Sequence, residues 1–110
     1  MAKSIYIVDV KDYRKLRVVF TKKKWQEKSI AHPELSNKKF LENIKKALQR
    51  PDVVWEDQSD KEHKRCYYQK YSVNTYIKVV IWLGNPNQVV TAFEIDYIKA
   101  STYPGLNHLK

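Results

Sequence analysis

An amphipathic helix pattern that is closed by a proline and followed by β-type segments limits the folds open to this chain. Between residues 36 and 50, apolar side chains recur every three or four positions, which places them on one helix face. Ser36 is the predicted N-cap, and Pro51 ends the helix because proline disfavours helical backbone in the preceding residue. The apolar face consists of Phe40, Leu41, Ile44, Ala47 and Leu48. We therefore expect one well-defined helix that packs on a sheet.

Four segments rich in β-branched and aromatic residues follow the proline, at residues 53–55, 64–71, 75–83 and 88–95. The stretch 84–87, Gly-Asn-Pro-Asn, is a turn signal that joins the last two segments as a hairpin. Four successive strands predict an antiparallel meander.

The N-terminal region predicts a second hairpin, because residues 4–10 and 15–20 are β-type and flank a polar stretch. Thr21 can cap a short helix that ends before His32-Pro33. The predicted class is α+β: an N-terminal hairpin within residues 1–20 and one or two helices, packed on a C-terminal four-stranded antiparallel sheet. We expect a single domain over 1–110, with its core at 30–95 and a partly ordered tail at 97–110.

Strand alternation sorts the predicted sheet into two faces, because residues two apart point the same way. In strand 75–83 the side chains of Ile77, Val79, Ile81 and Leu83 should meet the helix, which leaves Lys78 and Trp82 on the opposite, open face. Strand 88–95 groups Val89, Thr91, Phe93 and Ile95 on one side. Either face of strand 64–71 is suited to contact the helix.

The charge balance favours a polyanionic partner. The chain has 110 residues, with 21 Lys and Arg against 12 Asp and Glu, a net charge of +9. Neutralised phosphates release counterions and add affinity whatever the sequence, so RNA is the first expected partner. The alternative is that the charge is incidental. A single cysteine, Cys66, provides no disulfide framework and indicates a reducing compartment, which makes a cytoplasmic location the expectation.

Several kinds of chemistry are disfavoured by composition. With only 2 Gly, neither a phosphate-binding loop nor a dinucleotide fingerprint can form. The three histidines lie far apart and are not paired with cysteines, which argues against structural zinc. The acidic cluster Asp57, Asp60 and Glu62 stands beside lysines and is more typical of a solvated loop. We expect no cofactor, no metal and, since apolar runs are short, no membrane partner.

Five short motifs, taken in order, resemble a known family. They are His32-Pro33-Glu34, Arg50-Pro51-Asp52, Arg65-Cys66-Tyr67-Tyr68, Lys78-Val79-Val80 and Val90-Thr91-Ala92-Phe93. Together they are similar to the phage-associated branch of the barnase, EndoU, colicin-nuclease and RelE-like ribonuclease superfamily, over roughly residues 30 to 95. Arg50 stands where that family often has asparagine, and the N-terminal hairpin lies outside the pattern. The resemblance implies helices packed on a four-stranded antiparallel sheet whose open face cuts RNA without a metal.

The resemblance also implies roles for individual residues. His32 would be the acid/base, Arg65 a phosphate clamp, Lys78 a second cation and Thr91 a hydrogen-bonding site residue. Metal-free cleavage of RNA needs groups that transfer protons and cations that stabilise the charge developing on the phosphate. Exposed aromatic side chains would stack on bases and a lysine run would steer RNA; these are Tyr67, Tyr71, Trp82, Phe93, Lys22, Lys23 and Lys24. An acidic inhibitor and a toxin-like role follow from the same resemblance.

Each of these residues also has a structural alternative. His32 before a proline can simply join two helices, and Arg65 and Lys78 can pair with Glu94 or Asp96 across strands. The aromatic side chains can belong to the core. Two other functions therefore stand beside the ribonuclease: a non-catalytic RNA-binding module that uses the same basic, aromatic sheet face, and an assembly protein with incidental charge.

Overall fold

The computed structural model describes residues 5–57 and 60–96, which form a mixed sheet with two helices. In chain order the elements are β1 (Tyr6–Lys11), β2 (Arg17–Thr21), α1 (Lys22–Ala31), a 3-10 turn (Pro33–Ser36), α2 (Lys38–Gln49), β3 (Val53–Glu56), β4 (Lys64–Ser72), β5 (Thr75–Trp82) and β6 (Asn87–Ile95). The α+β class and each predicted strand and helix are confirmed. The predicted tail at 97–110 lies outside the described residues.

The sheet is larger than expected and is not wholly antiparallel. Its six strands have the order β1-β2-β6-β5-β4-β3. The predicted meander β3 to β6 is antiparallel throughout, whereas β2 pairs with β6 in parallel, through Val18 with Asn87 and Val19 with Gln88. The N-terminal hairpin therefore extends the C-terminal sheet, and the predicted separate four-stranded sheet is corrected to one mixed sheet of six strands.

Local capping sets the helix ends. The Thr21 hydroxyl accepts a hydrogen bond from the Lys24 amide, as predicted for an N-cap. At α2 the cap is Asn37, whose side chain accepts from the Lys39 amide, and the predicted cap Ser36 instead donates its hydroxyl to the Pro33 carbonyl. Asn37 has the extended backbone that an N-cap requires, while Ser36 closes the preceding 3-10 turn.

The main core lies between α2 and one face of the sheet. The predicted apolar face of α2 is buried there, against Ile77, Val79 and Ile81 of β5. The hairpin contributes Val8, Val18 and Phe20 to the same cluster, each 0–1% exposed. Hairpin and meander thus share one core.

The sheet face opposite α2, called the second face below, carries a smaller apolar cluster. Cys66, Tyr68 and Val80 are buried at its centre, and Trp55, Tyr76 and others pack around them. The expectation of a wholly open face is therefore wrong for its central part. The rim of this face, where Lys78, Phe93 and Trp82 lie, remains partly exposed.

A β-bulge in β6 changes the predicted grouping of its side chains. The register with β5 pairs Val80 with Thr91 but Ile81 with Val89, so Val90 is an extra residue. Val89 therefore packs in the main core, while Thr91 lies across from Val80 of the second face. The expected common face for Val89 and Thr91 is wrong because an inserted residue reverses strand alternation.

Candidate functional site

The candidate site centres on Phe93, at the rim of the second face. The His32 imidazole stacks on the Phe93 ring, with centroids 5.1 Å apart and planes 14° from parallel. The Lys78 Nζ lies 5.6 Å from the centroid of the same ring and 5.7 Å from that of Tyr68. The junction after α1 and the hairpin of β5 and β6 thereby bring an imidazole and an ammonium group to one aromatic side chain.

The backbone around His32 is fixed on both sides. Its amide donates to the Lys28 carbonyl and ends α1, and its carbonyl accepts from the Leu35 amide and starts the 3-10 turn. Trp25 anchors this corner, because its Nε1–H donates to the Leu35 carbonyl at 2.6 Å. The segment contacts β6, which carries His32 to Phe93. His32 joins two helical segments and also presents a partly exposed ring, 35% accessible.

Glu34 is a site neighbour whose role the sequence did not predict. Its carboxylate Oε1 is 3.7 Å from the His32 Nδ1, within ion-pairing distance if the ring is protonated. Glu34 also lines a cleft of about 610 Å³ that includes Lys39, Lys46 and Lys70. The signal available in the sequence was the spacing His-Pro-Glu, because a proline turn returns the third side chain toward the first.

Thr91 lies two residues before Phe93 in β6, close to this site. Its Oγ1 is buried and has no hydrogen-bond partner among the described residues. A buried hydroxyl without a partner costs free energy. The predicted hydrogen-bonding residue is therefore near the site, but it is shielded from a ligand in this conformation.

Arg65 is separated from His32 and Lys78 by the sheet. It pairs with Ile81 and shares the face of Tyr67, so its side chain is on the α2 side of β4. Its Nη1 donates to the carbonyls of Lys61 and Lys64. The structure does not bring the predicted phosphate clamp to the other site residues.

The side chains predicted to stack on bases differ in their exposure to solvent. Tyr67 is 0% exposed, and its hydroxyl donates to the Asp12 Oδ2 at 2.6 Å, so its predicted role as an exposed stacking residue is wrong. Burial and the hydrogen bond to Asp12 raise the pKa of Tyr67.

Among the other residues predicted to bind RNA, Phe93 is partly exposed and Trp82 is 42% exposed. The side chain of Tyr71 lies outside the described residues. Lys22, Lys23 and Lys24 form the first turn of α1, where Lys22 and Lys23 are exposed.

Cys66 occupies the second face without nucleophilic character. Burial and the hydrogen bond that its thiol donates to Asp57 raise its pKa to about 12, although the Lys78 charge acts in the opposite direction. The thiol is therefore protonated at neutral pH.

The acidic cluster does not act as one group. Asp57 is hydrogen-bonded to Cys66 and Asp60 to His63, so these two members of the cluster have separate partners. Within the described ranges, no group of three or more potential ligands is placed to hold a metal ion.

The chain matches no protein-family model, no curated protein and no solved structure. Neither helix in the described part of the chain is long and apolar enough to cross a membrane.

Proposed function

We propose that this protein is a metal-independent endoribonuclease whose site is formed by His32, Glu34 and Lys78 beside Phe93. The observation that carries the proposal is the contact of one Phe93 ring with both the His32 imidazole and the Lys78 ammonium. A net charge of +9 would draw RNA to this surface. The resemblance to metal-free ribonucleases supports the same assignment.

The proposed reaction is an internal transesterification. A base takes the proton of the ribose 2′-hydroxyl, the O2′–P bond forms and the P–O5′ bond breaks. An acid then protonates the leaving O5′, which gives a 2′,3′-cyclic phosphate and a 5′-hydroxyl end. His32 supplies an imidazole, the side chain most often used for proton transfer, and Glu34 is the nearby second proton-transfer group.

Lys78 supplies positive charge for the phosphate as negative charge develops on it. Its ammonium lies over the Tyr68 and Phe93 rings, which hold the flexible side chain at the rim of the sheet. Phe93 stays partly exposed, so the edge of its ring can contact a base next to the cleaved bond. Arg65 has no part in this mechanism because it lies on the α2 side.

We further propose that this ribonuclease acts in a reducing compartment such as the cytoplasm. There it would be a toxin that cleaves the RNA of the cell that makes it. Its basic surface would then be matched by an acidic inhibitor protein that covers His32 and Lys78. These elements follow from the family resemblance and from the charge of +9.

Cleavage of an end-labelled RNA pool in EDTA tests the proposal. We expect the wild type to cut and to leave cyclic phosphate ends. His32→Ala should lose about a hundredfold or more in rate, because positioned acid–base catalysis contributes that much. Lys78→Ala should also be impaired, whereas Lys45→Ala, which removes a half-buried α2 lysine paired with Glu42, should cut normally.

Arg65→Ala is a further arm, and it should retain cleavage. If the wild type leaves the RNA whole but binds it, and His32→Ala binds equally well, the protein is a non-catalytic RNA-binding module. The separation of Arg65 from His32 by the sheet is the observation that favours this second function.

A further inference from the structure

A second pair of stacked rings lies at another part of the rim of the second face. The His63 imidazole and the Trp82 indole are 5.1 Å apart between centroids, and their planes are 6° from parallel. The Trp82 residue is 42% exposed and the His63 side chain 54% exposed. The stacked, partly exposed rings present a flat π-surface on which a planar ligand can stack.

The position of His63 is fixed by hydrogen bonds. Its Nδ1 is 3.0 and 3.1 Å from the two carboxylate oxygens of Asp60, and its amide donates to Oδ1 of the same residue. Its carbonyl accepts from the Leu83 amide at 2.7 Å, which ties the loop to the end of β5. When Nδ1 carries the proton donated to Asp60, Nε2 is an acceptor that faces away from that carboxylate.

A lysine lies on the strand next to the ring pair. Lys64 of β4 is directly opposite Trp82 in the antiparallel register, and directly opposite residues share a sheet face. Lys78 and Trp82 are four residues apart on β5, a separation of about 13 Å along the strand. The second face thus has a second place where an imidazole stacks on an aromatic ring, with a lysine on the same face of the neighbouring strand.

We propose that His63, Trp82 and Lys64 form a second subsite for single-stranded RNA, in which a base stacks on the Trp82–His63 pair and a phosphate meets Lys64. The subsite rests on the proposed function for the identity of the strand as RNA. It would hold the strand at a distance from the bond cleaved beside His32. Stacking on a π-face accepts any base, and the His63 Nε2 can accept a hydrogen bond from a base N–H group, such as the N3–H of uracil.

Charge complementarity favours a nucleic acid strand over a protein segment as the occupant. Arrays of aromatic rings and cations on a sheet are the usual surface for single-stranded nucleic acid. The net charge of +9 adds long-range attraction for phosphates. An apolar protein partner would instead need a larger continuous apolar area than the exposed part of one ring pair provides.

Binding of an uncleavable strand tests the subsite separately from catalysis. The probe is a fluorescein-labelled eight-nucleotide oligouridylate with 2′-O-methyl riboses, followed by anisotropy. We expect Trp82→Leu to weaken binding about tenfold, the effect of losing one stacked base. His63→Ala, a loop variant that leaves the sheet intact, should weaken binding severalfold. Lys64→Gln should reduce the slope of log K against log salt concentration by about 0.7, the value for one phosphate contact on a single strand.

Val73→Ser is the matched control, because Val73 is an exposed apolar side chain, 84% accessible, in the turn between β4 and β5. It should bind like the wild type. If Trp82→Leu and His63→Ala also bind like the wild type, the subsite is refuted, whether or not the protein cleaves RNA. If both variants bind weakly while the wild type cleaves no RNA, the subsite stands and the ribonuclease proposal fails.

Discussion

Tyr67 shows how a single side chain can be misassigned from its sequence. Strand 64–71 carries tyrosines and cations on both faces, so its alternation does not indicate which face meets the helix. The partner that decides the question is Asp12, 55 positions earlier, which accepts the Tyr67 hydroxyl. Asp12 is 3% exposed and also accepts the amides of Arg14 and Leu16, which closes the β1–β2 turn. Such a distant pairing has no local signal in the sequence.

We expect Tyr67→Phe to lower the free energy of unfolding by about 1–3 kcal/mol. The variant keeps the ring in the core but removes one partner from a buried carboxylate, which then loses a hydrogen bond that water cannot replace. Chemical denaturation followed by circular dichroism measures the effect. Tyr76→Phe, in the half-buried rim of the second face, is the control and should change stability by less than about 0.5 kcal/mol. Equal losses in both variants would contradict a specific role for Asp12.

His32 and Lys78 are residues whose predicted placement agrees with the structure, for physical reasons. The alternation in β5 is unambiguous because Ile77, Val79 and Ile81 are all apolar, which forces Lys78 to the second face. His32 precedes a proline, so its position at a junction between helical segments was readable. The contact of both residues with Phe93 could not be predicted from strand alternation, because it depends on the bulge at Val90 and on the path of α1.

At the scale of elements, α2 was predicted well because its apolar spacing and Pro51 are strong local signals. Its start was one residue off. Ser36 and Asn37 are both good N-cap residues, and the sequence does not reveal that a 3-10 turn uses the first of them.

The capping assignment predicts that Asn37→Ala lowers the free energy of unfolding by about 1 kcal/mol, the usual loss when an N-cap side chain is removed. Ser36→Ala should cost less than about 0.5 kcal/mol, because its bond to the Pro33 carbonyl is exposed. The two variants differ by one position and are compared by thermal and denaturant unfolding. A larger loss for Ser36→Ala would place the N-cap at residue 36.

The N-terminal hairpin was predicted as an element, but its place in the sheet was not. Among the described residues, the hairpin joins the meander through the short parallel pairing of β2 with β6, which leaves no pattern in the sequence. Burial of Val18 and Phe20 in the main core makes the hairpin part of one folding unit. The amide of Tyr13 also donates to the Leu48 carbonyl and ties the turn of the hairpin to the end of α2.

Across the whole molecule, part of the net charge of +9 lies where positive charge lowers the stability of the fold. The first turn of α1 consists of Lys22, Lys23 and Lys24, where the helix dipole disfavours cations. Each of the ten residues of α1 is at least partly exposed, so packing compensates little. Because these lysines destabilise the helix, their presence is consistent with a role in binding and not in folding.

RNA binding of two charge-matched triple variants tests whether this cluster acts locally. Replacement of Lys22, Lys23 and Lys24 by Gln, or of Lys15, Lys38 and Lys45 by Gln, lowers the net charge from +9 by the same amount. We expect the first variant to bind the uncleavable oligouridylate more weakly and with a flatter salt dependence, since each lost phosphate contact removes about 0.7 from the slope for single strands. The second variant should keep most of the affinity, because Lys38 and Lys45 lie on α2, which packs on the opposite face of the sheet, and Lys15 lies in the β1–β2 turn that Tyr13 ties to the end of α2. Equal weakening in both would mean that the overall charge attracts RNA without the α1 lysines as specific contacts.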